Sequence, residues 1–239
     1  MATFVLVHGG WGGGWEWRLV ADRLQARGHR VHRPTLTGLG EKRHLARPDV
    51  DLDTHIRDVI NLIEYEDLRD VILAGQSYGG AVVTGVADRI AERLRRLVYV
   101  DAFAPQDGQS VNDLSPPRFV EHMRAMARES GQEWLVPLPF GDGELGLPAE
   151  VEAWYAPKLC PHPLATLDQP LRLTGTVDDV PRSYVDCAPD DVEGWVFARF
   201  AQRARDEGWD YRRLPVGHDA QVIAPDQLAE MLEEIALLR

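Results

Sequence analysis

Residues 71–87 read VILAGQSYGGAVVTGVA. Val71 to Ala74 is a short, branched apolar run, the pattern of a strand buried on both faces. Gly75-Gln76-Ser77-Tyr78-Gly79 follows, and Ala81 to Ala87 is small and apolar, as at the start of a buried helix. Strand, G-x-S-x-G and helix in that order predict a nucleophile elbow. A strand that turns sharply into a helix forces its central residue into a strained backbone and lifts that side chain above the sheet edge. The residues two positions to either side must then be very small, and here they are Gly75 and Gly79. Gly80 lets the helix sit close to the strand, and the positive end of that helix falls beside Ser77, where it suits a developing oxyanion.

Working outward, the chain alternates strands and helices on both sides of this stretch. Thr3 to His8 reads as a strand, Trp17 to Arg27 as an amphipathic helix with Gly28 after it, and Arg30 to Arg33 as a short strand. A polar loop over Leu36 to Arg47 leads to a helix over Asp51 to Tyr65. After the elbow helix, which ends near Ala91, Leu97 to Val100 is the next buried strand, with Asp101 at its carboxyl end. This rhythm predicts an α/β protein with a mostly parallel sheet, helices on both faces and right-handed crossovers. It stops after Phe103. Residues 105–180 hold 10 of the 16 prolines, with helices expected only over Phe119 to Arg128 and Glu150 to Tyr155. A segment of that length between two strands is an insertion, and lids over active sites are often built so. The pattern resumes with a strand over Arg182 to Cys187, a helix over Glu193 to Glu207, a last strand over Tyr211 to Leu214 and a closing helix over Ala224 to Leu238. The expected organisation is one domain, with a core of residues 1–104 and 181–239 and a mainly helical lid over about 105–180.

Composition narrows the function. A chain of 239 residues with 44% hydrophobic content buries a sizeable core. Its formal net charge of -12 argues against nucleic acid and anionic membranes as partners and favours neutral or cationic substrates. The two cysteines, Cys160 and Cys187, form no C-x-x-C pair, and no secretory signal precedes Phe4, so a reduced cytoplasmic setting is expected. No apolar run has the length of a membrane span. The eight histidines are scattered without metal-ligand spacing, so neither a metal nor a cofactor is expected.

Gly9-Gly10-Trp11-Gly12-Gly13-Gly14, directly after the first strand, is a loop at a strand's carboxyl end. It lacks a Walker lysine and the dinucleotide spacing. His8-Gly9-Gly10 instead suits an oxyanion loop, with the Gly10 N–H as one donor and the Tyr78 N–H as the second. The remaining chemistry needs a base of near-neutral pKa and a carboxylate to orient it. His218 follows the last strand and Asp190 the strand before it, at the same sheet edge as Ser77. The order Ser77, Asp190, His218 is nucleophile, acid, base. Asp191 and Asp101 are the alternative acids, Asp219 reads as a local loop carboxylate, and His55 as a packing histidine. Trp11, Phe119, Met123, Trp134 and Trp154 are candidates for an apolar substrate pocket.

The chain resembles the α/β-hydrolase superfamily, and within it the branch of plant methylesterases, hydroxynitrile lyases and small bacterial esterases. The resemblance rests on LVHGGWGGGWEW, GQSYGG, LVYVDAF, YVDCAPD with its C-x-x-D, and LPVGHDAQVIAPDQLAEML. It implies Ser77 as nucleophile, Asp190 as acid, His218 as base, and Gly10 and Tyr78 as oxyanion donors. It also implies that the first two strands of larger relatives are missing. Plant hydroxynitrile lyases carry a threonine at the position of Gly10 and a lysine after the histidine; Asp219 in the second place disfavours cyanohydrin cleavage. The expectation is a serine hydrolase of small to medium, neutral, apolar carboxylic esters, monomeric or homodimeric. Its alternatives are a lactonase, a natural-product tailoring hydrolase or lyase with the same triad, and a non-catalytic ligand receptor.

Overall fold

A computed structural model describes residues 1–141 and 143–238. In chain order the core opens with β1 (Thr3–Val7), α1 (Arg18–Ala26), β2 (Arg30–His32), α2 (Leu52–Tyr65), β3 (Val71–Ser77), α3 (Gly79–Ile90) and β4 (Leu94–Ala102). Between β4 and the next sheet strand lie α4 (Val111–Leu114), α5 (Pro117–Glu129), β5 (Leu135–Val136), α6 (Ala149–Tyr155), β6 (His162–Pro163) and α7 (Ala165–Asp168). The core then closes with β7 (Arg182–Asp186), α8 (Ala198–Asp206), β8 (Asp210–Arg213), α9 (Ala220–Ile223) and α10 (Pro225–Leu237).

Six strands pair in the order β2-β1-β3-β4-β7-β8, every pair parallel. The crossover after the elbow strand runs through α3, so the elbow sits near the middle of the sheet. Central strands have no wet face, which is why Ile72, Leu73 and Ala74 are wholly buried. Alternate residues of β3 and β4 go to opposite layers. Leu73, Leu97 and Tyr99 pack with α2 and α3, through Ile56, Val82 and Val86. Ile72, Val98 and Val100 pack with α1 and α10, through Val20, Leu24 and Leu228. These two layers make the sandwich expected of strands joined by helical crossovers.

Two local departures from the expected pattern bear on the site. The helix expected from Glu193 starts only at Ala198, because Gly194 takes φ +73° and leaves 190–197 irregular. In β4 the register slips: Gln76 pairs with Val100, whereas Ser77 pairs with Ala102, so Asp101 is an extra, unpaired residue. This bulge switches the strand's parity, and Ala102 joins the α2/α3 layer that Tyr99 already occupies. Residues 103–181 span two adjacent strands, β4 and β7. Among the described residues there, the one sheet is a two-residue antiparallel ribbon in which Val136 faces His162 and Leu135 faces Pro163. No helix among the described residues is long and apolar enough to cross a membrane.

Candidate active site

Ser77 ends β3 with φ +53°, a left-handed backbone that a side chain adopts at a cost of about 1–3 kcal/mol. The cost is imposed by the turn itself. A Cβ at Gly75 would stand 2.5 Å from the Gly79 carbonyl oxygen, and one at Gly79 2.6 Å from the His8 carbonyl oxygen. Both glycines are therefore fixed by sterics, and Ser77 is the residue lifted out of the otherwise buried strand.

His218 stands on the loop after β8. Its Nδ1 lies 2.6 Å from Asp101 Oδ2. Asp101 is fully buried, while 30% of the His218 side chain stays open to solvent. A carboxylate without water needs donors, and Asp101 has them: the Trp195 indole Nε1–H donates to both of its oxygens, at 2.9 and 3.1 Å. Asp101 itself takes φ +43° in the β4 bulge. The carboxylate fixes the imidazole tautomer, with the proton on Nδ1 and the lone pair on Nε2. That Nε2 lies 3.2 Å from the Gln76 amide nitrogen, which also donates to the His218 carbonyl at 3.1 Å. The reactive nitrogen of the imidazole thus faces the elbow, one residue from Ser77. Burial works most strongly to lower the His218 pKa, but the bond to Asp101 and the charges of Asp101 and Asp219 outweigh it, and the pKa ends up raised.

The structure does not bring Asp190, the acid expected from the sequence, to His218. Asp190 lies on the outside, with a side chain 75% exposed, and pairs with Arg213 at 2.9 Å. The turn after β7 is held by Asp186, which accepts from the Ala188 N–H at 3.1 Å and from the Tyr211 hydroxyl at 2.6 Å. Asp191 is likewise exposed. Of the three carboxylates weighed from the sequence, Asp101 is the one that meets His218.

Gly10 and Tyr78 stand side by side. A Cβ placed on Gly10 would stand 3.8 Å from Tyr78 Cβ, and Tyr78 is the residue from which α3 starts. The Tyr78 hydroxyl is tied to His55 Nδ1 at 2.8 Å, while His55 Nε2 meets the Thr37 carbonyl at 2.8 Å. His55 is thus a satisfied packing histidine, and burial, its largest influence, lowers its pKa to about 4.

The expected pocket residues divide. Trp11 lies 6.4 Å from Phe140, ring centre to ring centre, and Phe140 stacks on Phe119 at 5.9 Å. Met123 is buried in the same apolar cluster. Trp134 instead borders a separate surface cleft with Asp51 and Asp168, and Trp154 packs on Trp15 and Lys158 against the small cluster of Leu147, Tyr155 and Val222. Three aromatic residues at the site were not singled out in the sequence. Phe197 stacks flat on the His218 ring at 4.8 Å and 6°, Trp195 holds Asp101, and Phe103 packs edge-on against Phe197 at 5.1 Å. Trp195 and Phe197 belong to the irregular stretch that reads as helix, so no periodicity marks them.

Behind the base lies a second carboxyl group pair. The Tyr155 hydroxyl on α6 is 2.9 Å from Glu16 Oε1 and 3.2 Å from Asp219 Oδ1, and all three groups are buried. Burial and the neighbouring Asp219 push the Glu16 carboxyl up to about 8. Burial also raises Asp219, the residue after His218. One phenolic proton serves one carboxyl, so a protonated Glu16 closes the second contact.

A strained serine at a strand-to-helix turn, with a histidine after the last strand turned toward a buried carboxylate, all at the carboxyl edge of a parallel sheet, defines the α/β-hydrolase class. This chain belongs to that family: the model of the alpha/beta hydrolase family matches residues 4–231. Across 97% of its length it is 42% identical to a carbendazim hydrolyzing esterase of Nocardioides sp. (strain SG-4G), 98% of which is covered. A pyrethroid hydrolase of Sphingobium wenxiniae is 27% identical, over 99% of this chain and 88% of that protein. Among solved structures, an extracellular alpha/beta-hydrolase from a Paenibacillus species superposes with a TM-score of 0.85 at 26% identity, covering 99% of both chains. That protein is described as sharing structural and functional homology with tobacco salicylic acid binding protein 2.

Proposed function

We propose that the protein is a serine hydrolase that cleaves carboxylic esters of small to medium, neutral, largely apolar molecules. The observation that carries this reading is the two-sided hold on His218: Nδ1 on buried Asp101, Nε2 toward the elbow of Ser77. Ser77 Oγ attacks the ester carbonyl while His218 Nε2 takes its proton, and the resting Gln76 amide yields the lone pair as it does so. The imidazolium that forms is stabilised by Asp101. The Gly10 and Tyr78 N–H groups receive the oxyanion. His218 then protonates the leaving alcohol, and water, deprotonated by the same nitrogen, hydrolyses the acyl-enzyme. The aromatic side chains of Phe103, Phe197 and Trp11 support an apolar substrate. Relatives named as esterases and hydrolases support ester cleavage. Turnover of a p-nitrophenyl ester series is the test. Ser77→Ala, with the fold intact by circular dichroism, is expected to lose nearly all activity; substantial residual esterase activity would overturn the proposal.

A further inference from the structure

Trp11 is the residue after the candidate oxyanion donor, and it carries a backbone that a bulky side chain rarely adopts, φ +61°. Three of its groups are held by the ribbon of the insertion. Its N–H donates to His162 Nδ1 at 3.1 Å, and its carbonyl accepts from the Cys160 N–H at 2.8 Å. Its indole Nε1–H is directed at the carbonyls of Val136 and Pro137, at 3.2 and 3.1 Å. Both strands of the ribbon, and the residues just beside them, therefore grip one side chain and its two flanking peptide units.

His162 has the proton arrangement that this task requires. The Trp11 N–H can only donate, so Nδ1 is an acceptor and the ring proton is on Nε2. Nε2–H meets Thr166 Oγ1 at 2.6 Å, and the Thr166 hydroxyl in turn donates to the Pro163 carbonyl at 2.8 Å. The ring is fully buried, and burial, followed by the neighbouring His55 and His8, holds it neutral. It packs on the Tyr78 ring at 4.8 Å, and a Cβ on Gly10 would stand 3.7 Å from its Nδ1. One neutral imidazole thus touches both residues whose N–H groups are assigned to the oxyanion.

We infer that His162 is a positioning residue for the oxyanion hole: by accepting from the Trp11 N–H it fixes the Gly10–Trp11 peptide, and through the Gly10 Cα it steadies the adjoining Gly9–Gly10 peptide that carries the donor N–H, so the insertion builds part of the reacting geometry as well as covering it. This inference rests on the reading of Gly10 as an oxyanion donor.

The test compares His162→Leu, which keeps bulk and loses the acceptor, with His162→Asn, whose amide oxygen can stand near the place of Nδ1. Each is assayed with a p-nitrophenyl ester and with phenylboronic acid, which forms a tetrahedral adduct on an active serine. Removing one oxyanion donor outright typically costs about 10²–10³ in rate, and misaiming one should cost somewhat less. Expected for His162→Leu is a fall in kcat of about 10- to 100-fold, a KM within about threefold, and a boronate affinity lost in proportion to kcat. His162→Asn recovers most of both. Thr166→Val, which frees the tautomer without touching Trp11, gives a smaller loss in the same direction and decides the matter if His162→Leu does not fold. An unchanged kcat and boronate affinity in His162→Leu, a change confined to KM, or equal impairment in the asparagine variant would each overturn the inference. The Ser77→Ala control separates the two levels. If wild-type turnover does not depend on Ser77, the proposed function fails and takes this inference with it; if it does, a wild-type-like His162→Leu refutes the positioning role alone.

Discussion

Strands β4 and β7 lie side by side, and each delivers carboxylates to the same edge of the sheet. At the end of β4, Asp101 is enclosed in a bulge, carries a left-handed backbone, and is met by an indole N–H and an imidazole N–H. Past the end of β7, Asp190 stands in solvent with one exposed arginine for company. The two groups have the same chemistry. What separates them is desolvation. A buried carboxylate surrounded by fixed donors orients a base and stabilises its cation, whereas an exposed one is screened by water and by salt. A side chain's usefulness at such a site follows from what surrounds it more than from where its strand ends.

The sharpest way to break this comparison is to neutralise each acid in turn. Asp101→Asn is expected to lower kcat by about 10³–10⁴, the scale on which a triad loses its orienting carboxylate. Asp190→Asn is expected to leave kcat within about twofold and stability within about 1 kcal/mol, as for other surface pairs. Steady-state kinetics and urea melts on the two variants check both.

The pH profile sharpens the same point. The raised pKa of His218 means that kcat/KM of the wild type falls off on the acid side at a pH above 6.5, because only the neutral imidazole accepts the serine proton. Asp101→Asn removes the bond and charge that raise it while burial, which lowers it, stays. The acid limb is therefore expected to move to lower pH in the residual activity of that variant. In Asp190→Asn it is expected to stay in place.

Glu16 extends the comparison to a carboxyl group that is buried beside another, Asp219. Its folded-state pKa of about 8 lies above the ordinary value of 4.5. Between those limits the folded chain holds a proton that the unfolded chain has released. The associated stability is therefore present in full below about pH 4.5 and is lost as pH rises through about 8. Glu16→Gln is expected to flatten that part of the stability curve, as read from urea midpoints at a series of pH values. An unchanged slope between those limits would show that Glu16 is ionised in the native state.

Much of the fold is legible in the chain because central parallel strands and crossover helices write their burial directly into apolar periodicity. The elbow is legible for a steric reason: no other residue type fits at Gly75 or Gly79. His218 is legible from its place after the last strand. The acid is not, because aspartates stand at or just past the carboxyl ends of both β4 and β7, and the resemblance to a C-x-x-D pattern pointed to the exposed Asp190. The deciding feature, a one-residue register slip at Asp101, leaves no compositional trace in VYVDAF. The insertion is the least readable part. His162 reads as one of several scattered histidines until the ribbon brings it to Trp11, across 151 residues of sequence. Trp134 and Trp154, which look equally suited to a pocket, pack elsewhere.

The most direct test of the account is the rate of fluorophosphonate labelling, with the modified residue located by peptide mass spectrometry, in the wild type, Asp101→Asn and Asp190→Asn. The expected result is an adduct on Ser77 that forms at the wild-type rate in Asp190→Asn and at least about 100-fold more slowly in Asp101→Asn. Slow labelling in Asp190→Asn with an unimpaired Asp101→Asn would contradict the assignment of the acid, and an adduct on any residue other than Ser77 would contradict the site itself.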